Sequence, residues 1–218
     1  MTRTHWASVT AVVLALLFAG AATVASAGDG ERSGPATPST TSAEAGFARD
    51  MSVHHQQAVE MSFIVRDRTK DEAVRSLAYD IANTQANQRG MMQGWLDLWG
   101  LPKVEADAEP MAWMAGAAGD GHAGHSAAEA GEGALMPGMA TKAQLERLGK
   151  LSGRAAEIEY LQLMIVHHNG GVAMARGCVE LCTVETERDL ARGMVTGQRS
   201  EVELMVGMLA KRGAQVRT

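Results

Sequence analysis

Two histidine pairs are the residues of this sequence whose types and spacing could do chemistry. One pair lies in the stretch MSVHHQQAVEM, residues 51–61, and the other in MIVHHNGGVAM, residues 164–174. In both stretches a methionine stands three residues before the first histidine and another stands six residues after the second. Thioethers favour the cuprous ion and imidazole accepts either oxidation state of copper, so the combination predicts a copper site. The candidate ligands from the two stretches are His54, His55, Met51, Met61, His167, His168, Met164 and Met174.

Helical geometry would let neighbouring members of each set share one ion. Met51 and His55 are four residues apart, as are Met164 and His168, and side chains at this spacing lie one above the other on a helix. The alternative is that these residues only fill or stabilise a core, because methionine often fills gaps and buried histidine is often hydrogen-bonded. The recurrence of the whole set favours a site.

An internal repeat indicates the elements that position these groups. Shifting the sequence by 113 residues aligns the two stretches, and the register continues without a gap from Phe47 on Tyr160 to Gly100 on Gly213. This predicts a duplicated unit of about 54 residues.

Each unit has the pattern of a helical hairpin. Apolar positions in the first unit recur at spacings of three and four residues, a turn is expected at residues 66–71, and Gly100-Leu101-Pro102 ends the second helix. The later unit follows the same pattern and ends near Gly213. No segment alternates with period two, so no sheet is expected. The sequence predicts an all-α protein, a four-helix bundle of two hairpins (44–100 and 141–213) joined by a long crossover (101–140).

Polar residues fall on the faces that this bundle would bury. Neighbouring helical residues point about 100° apart, so His54 and His167 lie on the seam and the second histidine of each pair lies on its flank. An unpartnered buried polar group costs about 1–3 kcal/mol, so such a set needs a network or a ligand. The inward polar residues are Gln85, Gln88, Gln198 and Glu201, and the further methionines around them are Met92 and Met205.

The middle segment, Leu101 to Ala140, contains three more pairs of metal-binding residue types at x-x spacing. It is rich in glycine, alanine and acidic residues and is too long for an ordinary bundle loop, so it is a crossover or a functional flap. A mobile arm that catches copper is one interpretation, and a low-complexity loop is the other. The residues concerned are Met111, Met114, His122, His125, Met136 and Met139.

The N-terminus reads as an export signal. Residues 1–27 have an early Arg3, an apolar stretch and the small-residue site Ala25-Ser26-Ala27, whereas an uncleaved anchor is the alternative because residues 7–27 carry no charge. Residues 28–43 are expected to form a disordered spacer. Without the signal, 19 basic and 25 acidic residues remain (20 − 1 and 25), a net charge of −6. This balance argues against nucleic-acid binding and fits a secreted protein.

Cys178 and Cys182 are the two cysteines of the chain and are four residues apart. Outside the cytoplasm this spacing favours a disulfide over a metal-binding pair or two free thiols. They are not expected to belong to the main site.

The motif Met-x-x-His-His-x-x-x-(Val/Ala)-x-Met, followed about 30 residues later by Gln-x-x-Glu-x-x-x-Met, resembles the bacterial family called domain of unknown function 305. The resemblance covers both hairpins and implies an exported, ferritin-like helical protein. Some members of the family are implicated in copper binding and copper tolerance. The first hairpin departs from the motif, with Gln88 where glutamate is usual. Matching positions are His54, His55, Met51, Met61, Gln85 and Met92, and His167, His168, Met164, Met174, Gln198, Glu201 and Met205.

Three functions are consistent with these residues. The first is an extracytoplasmic protein that binds Cu(I) or Cu(II) and stores it or passes it to other copper-handling proteins. The second is a ferritin-like dimetal oxidase, which requires several inward carboxylates and Glu-x-x-His motifs, whereas the chain has no such motif and only Glu201 is placed inward. The third is a structural or partner-binding bundle without metal. The sequence favours a binding protein over an enzyme.

Overall fold

The structure, a computed structural model, describes residues 37–117 and 133–217. The predicted signal peptide, most of the predicted spacer, and His122 and His125 lie outside these residues. None of the described helices has the length and apolar character needed to cross a membrane.

The described residues form an all-helical bundle without a strand. Its helices are α1 (Ala43–Arg68), α2 (Glu72–Leu98), α3 (Lys142–Lys150), α4 (Gly153–Leu181) and α5 (Glu185–Lys211), and a 3-10 helix spans Ala112–Ala117. The turn between α1 and α2 lies within the predicted residues 66–71, and α2 and α5 end close to Gly100 and Gly213 as predicted. The apolar pattern did not separate α3 from α4. Residues 151 and 152 are extended and Gly153 has a φ of +54°, which divides the two helices.

Local signals explain the helix boundaries. The side chains of Ser42 and Asp71 accept hydrogen bonds from the backbone N–H groups three residues later, which caps α1 and α2. Gly100 and Gly213 follow the ends of α2 and α5 with φ near +65°, a conformation that glycine adopts without strain. The first hairpin therefore begins both of its helices with side-chain caps, whereas Ser152 and Val184, which precede α4 and α5, make no such bond.

The two hairpins meet where α1 packs against α4. The Ser62 hydroxyl near the end of α1 lies 3.1 Å from the Tyr160 hydroxyl near the start of α4. Glu44, at the start of α1, accepts a hydrogen bond from the Thr183 hydroxyl just beyond the end of α4. The two helices therefore run antiparallel, and their midpoints coincide at the histidine pairs.

The interior contains two hydrophobic clusters, one on each side of the histidines. Along α1 one cluster ends at Met51 and the other begins at Ala58. Along α4 the two clusters follow each other in the opposite order. We call them the methionine–disulfide cluster and the aliphatic cluster. The methionine–disulfide cluster includes Phe47, Met51, Met92, Leu96, Met111, Met136, Met174, Cys178, Cys182 and Met194. The aliphatic cluster includes Met61, Val65, Val74, Leu77, Ile81, Leu148, Tyr160, Leu161, Met164, Met205 and Leu209.

Candidate metal centre

His54 and His167 are stacked on each other at the crossing of α1 and α4. Their ring centroids are 3.7 Å apart at an interplanar angle of 33°, and neither side chain is exposed to solvent. The Nε2 of His167 donates to the backbone carbonyl of His54 at 3.0 Å, which leaves the Nδ1 of His167 without a partner. Neither ring nitrogen of His54 has a hydrogen-bond partner of ordinary geometry among the described residues, although the Pro137 backbone lies near enough to favour the charged form of this ring.

The second histidine of each pair turns toward its own hairpin. The Nε2 of His55 lies 2.8 Å from the Gln88 amide oxygen on α2, and that of His168 lies 2.7 Å from the Glu201 carboxylate on α5. Both oxygens are acceptors, so each Nε2 carries the proton and each Nδ1 keeps an unused lone pair. Helical spacing placed these two residues on the flank, yet both are fully buried because they face the second helix of their hairpin.

This pattern is the one that metal-binding histidines show. Such residues donate one ring N–H to a carbonyl or carboxylate, which fixes the tautomer and aims the other nitrogen at the metal. His167, His55 and His168 are each held in this way, by a backbone carbonyl, an amide oxygen and a carboxylate. The centre is therefore preorganised to present imidazole lone pairs.

Burial keeps the central imidazoles neutral. Loss of hydration lowers the pKa of His54 to about 3 and that of His55 to about 4, and the other histidines nearby disfavour the charged form of His54 further. Burial, together with His54, also holds the pKa of His167 well below its usual value of 6.5. At neutral pH these rings are consequently free to bind a cation without first losing a proton.

Two glutamines add polar atoms with no partner. The side-chain oxygen and nitrogen of Gln85 and of Gln198 are buried and form no hydrogen bond in the structure. Gly171 makes room for one of them, because a Cβ at this position would lie 2.5 Å from the Oε1 of Gln198 and 3.2 Å from the Cε1 of His54. In the sequence Gly171 is one seam position among others, and nothing in the pattern distinguished it.

The donors of the histidine centre do not converge three at a time. Among the described residues, the one group of three His, Cys, Asp or Glu donor atoms within 4.8 Å of one another is Cys178, Cys182 and Glu187. In this geometry no more than two of the imidazoles at the centre lie close enough to share one ion.

The methionines expected to surround the histidines are all fully buried, but they divide into two groups. Met51, Met92 and Met174 belong to the methionine–disulfide cluster, and Met61, Met164 and Met205 belong to the aliphatic cluster. Each group combines two methionines of one hairpin with one from the other, because α1 and α4 are antiparallel. Buried methionines therefore lie in the clusters on both sides of the histidines.

The described part of the middle segment packs against the bundle, and a role of its four methionines in metal binding stays a prediction. Met111, Met114, Met136 and Met139 belong to or pack against the methionine–disulfide cluster. Asp50 holds the segment by accepting hydrogen bonds from the Met111 N–H at 2.8 Å and the indole N–H of Trp113 at 2.9 Å.

A second polar group lies at the end of this cluster. Cys178 and Cys182 form a disulfide, as the sequence favoured. Beside them Glu187 is fully buried, and neither of its carboxylate oxygens has a hydrogen-bond partner within residues 37–117 and 133–217. Loss of hydration and the neighbouring Glu44 raise the pKa of Glu187 to about 9. Sequence reasoning missed Glu187, because a glutamate in the first turn of a helix is ordinary.

Comparison with known proteins identifies the family. Residues 44–209 match the model described as Domain of unknown function (DUF305). The chain belongs to this family. It is similar to a candidate secreted DUF305 protein from Streptomyces coelicolor, with 60% identity, a TM-score of 0.73 and coverage of 83% of this chain and 99% of that one. A DUF305 fragment from Deinococcus radiodurans is 31% identical, with a TM-score of 0.62 and coverage of 82% and 99%.

More distant solved structures share the DUF305 fold. CopM in its Cu(I)-bound form is 19% identical to the chain, with a TM-score of 0.55 over 76% of this chain and 94% of CopM. CopM also matches in a Cu(II)-bound and a silver-bound form, at 18% and 16% identity. No curated protein matches the chain.

Proposed function

We propose that this DUF305 protein binds copper at the layer of four histidines between its two hydrophobic clusters. The observation that carries the proposal is the set of buried imidazoles, three of which are fixed through Nε2 and leave Nδ1 free. Each buried polar atom without a partner costs about 1–3 kcal/mol, so a cation that engages several of them is strongly favoured.

The donor set fits copper better than a hard cation. Neutral imidazole and thioether suit Cu(I), and imidazole also suits Cu(II), whereas Mg²⁺ and Ca²⁺ require several oxygen ligands. The carboxylate that touches the centre, Glu201, is occupied by His168. Because no three of these imidazoles converge, each ion would take at most two of them and complete its shell from the other candidates. The candidate ligands are His54, His55, His167, His168, Gln85, Gln198, Met51, Met61, Met92, Met164, Met174 and Met205, with Glu201 as the partner of His168.

CopM supports copper as the cargo, because its solved forms hold Cu(I), Cu(II) or silver on a similar fold. The proposed role is sequestration or delivery of copper outside the cytoplasm, as part of copper tolerance. The predicted signal peptide and the Streptomyces relative described as a candidate secreted protein support export. We also propose that the bundle is a ferritin-like arrangement of two duplicated hairpins, since sequence-equivalent residues make equivalent contacts in both.

Anaerobic competition with a chromophoric Cu(I) chelator tests the assignment. Replacing both stacked rings, His54→Ala with His167→Ala, should weaken binding by more than the roughly 10–100-fold that loss of an outer partner costs. Ser62→Ala is the matched control, because it removes a buried polar group from the aliphatic cluster and should leave the affinity unchanged. An equal affinity in the double variant and the wild type would refute the histidine centre.

Thermal unfolding separates this function from a metal-free structural bundle. A ligand that binds only the folded state at 100 times its Kd adds about 2.7 kcal/mol of stability. Copper should therefore raise the Tm of the wild type and not that of the double histidine variant. A wild-type Tm that does not respond to copper would favour the structural role.

A further inference from the structure

The turn between α4 and α5 carries three buried groups that could bind a metal. Cys178 lies on the last turn of α4, Cys182 follows that helix, and Glu187 lies on the first turn of α5. Their sulfur and carboxylate oxygen atoms lie within 4.8 Å of one another. All three side chains are buried, and the carboxyl group of Glu187 has no hydrogen bond.

The corresponding turn of the first hairpin shows that packing does not require these groups. Subtracting 113 from their numbers gives Val65, Thr69 and Val74, which are also buried. The same turn is therefore filled by two valines and a threonine in one hairpin. In the other hairpin two sulfurs and a carboxyl group take their places.

The two turns also differ in charge. Glu157 holds the first turn by accepting from the Thr69 hydroxyl at 2.5 Å, and Arg212 donates to the same carboxylate at 2.7 Å. Glu44 holds the second turn by accepting from the Thr183 hydroxyl at 2.9 Å. Neither Glu44 nor Glu187 has an ion-pair partner among residues 37–117 and 133–217. The second turn thus has the neighbouring carboxyl groups of Glu44 and Glu187. The first turn instead has the Glu157 carboxylate beside the Arg212 guanidinium.

We propose that reduction of the Cys178–Cys182 disulfide opens a second metal site, in which the two thiolates and the Glu187 carboxylate bind one Cu(I) or Zn²⁺ ion. Both cations are closed-shell and bind thiolates in low coordination numbers, and Zn²⁺ also takes a carboxylate ligand readily. The site is separate from the histidine centre and does not depend on copper binding there. While the disulfide is closed, the sulfurs have no thiolate to offer and the site is shut.

The chemistry of opening is balanced by an external dithiol. The dithiol transfers two electrons and two protons to the disulfide, its own two sulfurs join, and Cys178 and Cys182 become thiols. The metal ion then replaces both thiol protons and the carboxyl proton of Glu187, and these three protons pass to solvent. Outside the cytoplasm the disulfide persists until such a reductant is present, so metal binding here reports the supply of reducing equivalents.

The test compares oxidised and reduced protein. The purified full chain is treated with a dithiol reductant, freed of it anaerobically, and titrated separately with Zn²⁺ and with Cu(I) against a chromophoric chelator. Reduced protein should bind one more equivalent of at least one ion than oxidised protein, and that ion should protect both cysteines from alkylation. The ion retained identifies which of the two cations the site prefers.

Matched variants take the residues of the first turn. The variant with Cys178→Val and Cys182→Thr should fold, as judged by circular dichroism. It should lose the extra equivalent of metal and keep copper binding at the histidine centre. Glu187→Gln keeps the shape and both cysteines, and should weaken the extra equivalent at least tenfold. Equal stoichiometry in oxidised and reduced wild type, or alkylation that proceeds unhindered with metal bound, would overturn the second site and leave the histidine centre untouched.

Discussion

The two hairpins of this protein share a packing frame and differ in a few buried residues. In both, the second histidine of the pair bonds a residue 33 positions later, but the partner is the neutral Gln88 in the first hairpin and the charged Glu201 in the second. The seam position after each pair is Ala58 in the first hairpin and Gly171 in the second, and only the glycine leaves space for a glutamine against His54. The turn of the second hairpin alone carries sulfur and an unpaired carboxyl group.

This difference separates what the fold requires from what the chemistry requires. Where both hairpins have the same glycine after their last helix, packing is a sufficient explanation, whereas the histidines that both share are buried with ring nitrogens that have no partner. Where the second hairpin departs, the first shows that an apolar or neutral residue packs equally well there. The departures therefore point to ligand binding, and they concentrate on the side of α4 and α5.

The largest expected effect concerns the histidines that both hairpins share. Burial lowers the folded pKa of His54, His55 and His167, so the unfolded chain binds more protons below pH 6.5 and the free energy of unfolding falls as the pH drops from 6.5 toward about 3–4. A shift of one pKa unit corresponds to about 1.4 kcal/mol. The total loss of unfolding free energy should therefore reach several kcal/mol. Urea unfolding at pH 7, 6, 5 and 4 measures it.

Replacing His54 and His167 by alanine supplies the control for that experiment, because the remaining carboxylates titrate in both proteins. The difference in unfolding free energy between wild type and variant should shrink or reverse as the pH falls. A constant difference from pH 7 to pH 4 would mean that the rings are not neutral by burial.

The next effect follows from the unequal partners of the flanking histidines. Glu201→Gln makes the second hairpin like the first and should weaken Cu(II) binding about 10–100-fold, because a carboxylate partner makes the imidazole a stronger ligand. Gln88→Glu should strengthen binding for the same reason. Chelator competition measures both variants, and equal affinities in the two would show that the hairpins are equivalent despite the charge.

A smaller effect should follow from exchanging the small residues of the seam. Gly171→Ala should weaken copper binding about tenfold, or about 1.4 kcal/mol, because the new Cβ displaces the Gln198 amide and crowds His54. Ala58→Gly should leave copper binding unchanged and cost about 1 kcal/mol through helix propensity, a fall in Tm of about 2–4 °C. Titration and thermal melts of the pair measure this contrast, and similar copper affinities in both variants would exclude a role for the Gly171 space.

The smallest effect should come from the equivalent methionines Met61 and Met174, which lie in different clusters. Replacing either by leucine keeps the volume nearly constant and should change stability by less than about 1.5 kcal/mol. If their sulfurs bind the ion, each variant should bind Cu(I) several-fold more weakly and Cu(II) unchanged. Loss of Cu(I) affinity in one variant alone would assign the site to one end of the bundle.

Much of the helical structure could be predicted because it depends on local signals. The structure agrees with three local signals, each of which acts within a few residues. They are the three- and four-residue spacing of apolar positions from Phe47, the turn at residues 66–71, and the glycines at 100 and 213. The separation of α3 from α4 was missed, since it depends on an extended break at residues 151 and 152 within a helix-forming stretch.

The candidate site was predictable in residue type and not in arrangement. Residue spacing placed His54 and His167 on the seam, and the structure stacks them there. It could not reveal that the methionines divide between two clusters, because that follows from the antiparallel crossing of two helices more than 100 residues apart in the chain.

By itself, the sequence indicated the four long helices and the burial of His54, His167, Gln85, Gln198 and the seam methionines, because helical periodicity converts spacing into a buried face. Only the tertiary structure decided which nitrogen of each imidazole is left free, that the methionines of the middle segment are packed, and that Glu187 stands beside a disulfide without a partner. Those outcomes depend on the approach of distant segments, where the loss of water and the choice of hydrogen-bond partner are settled by packing and not by neighbours in the chain.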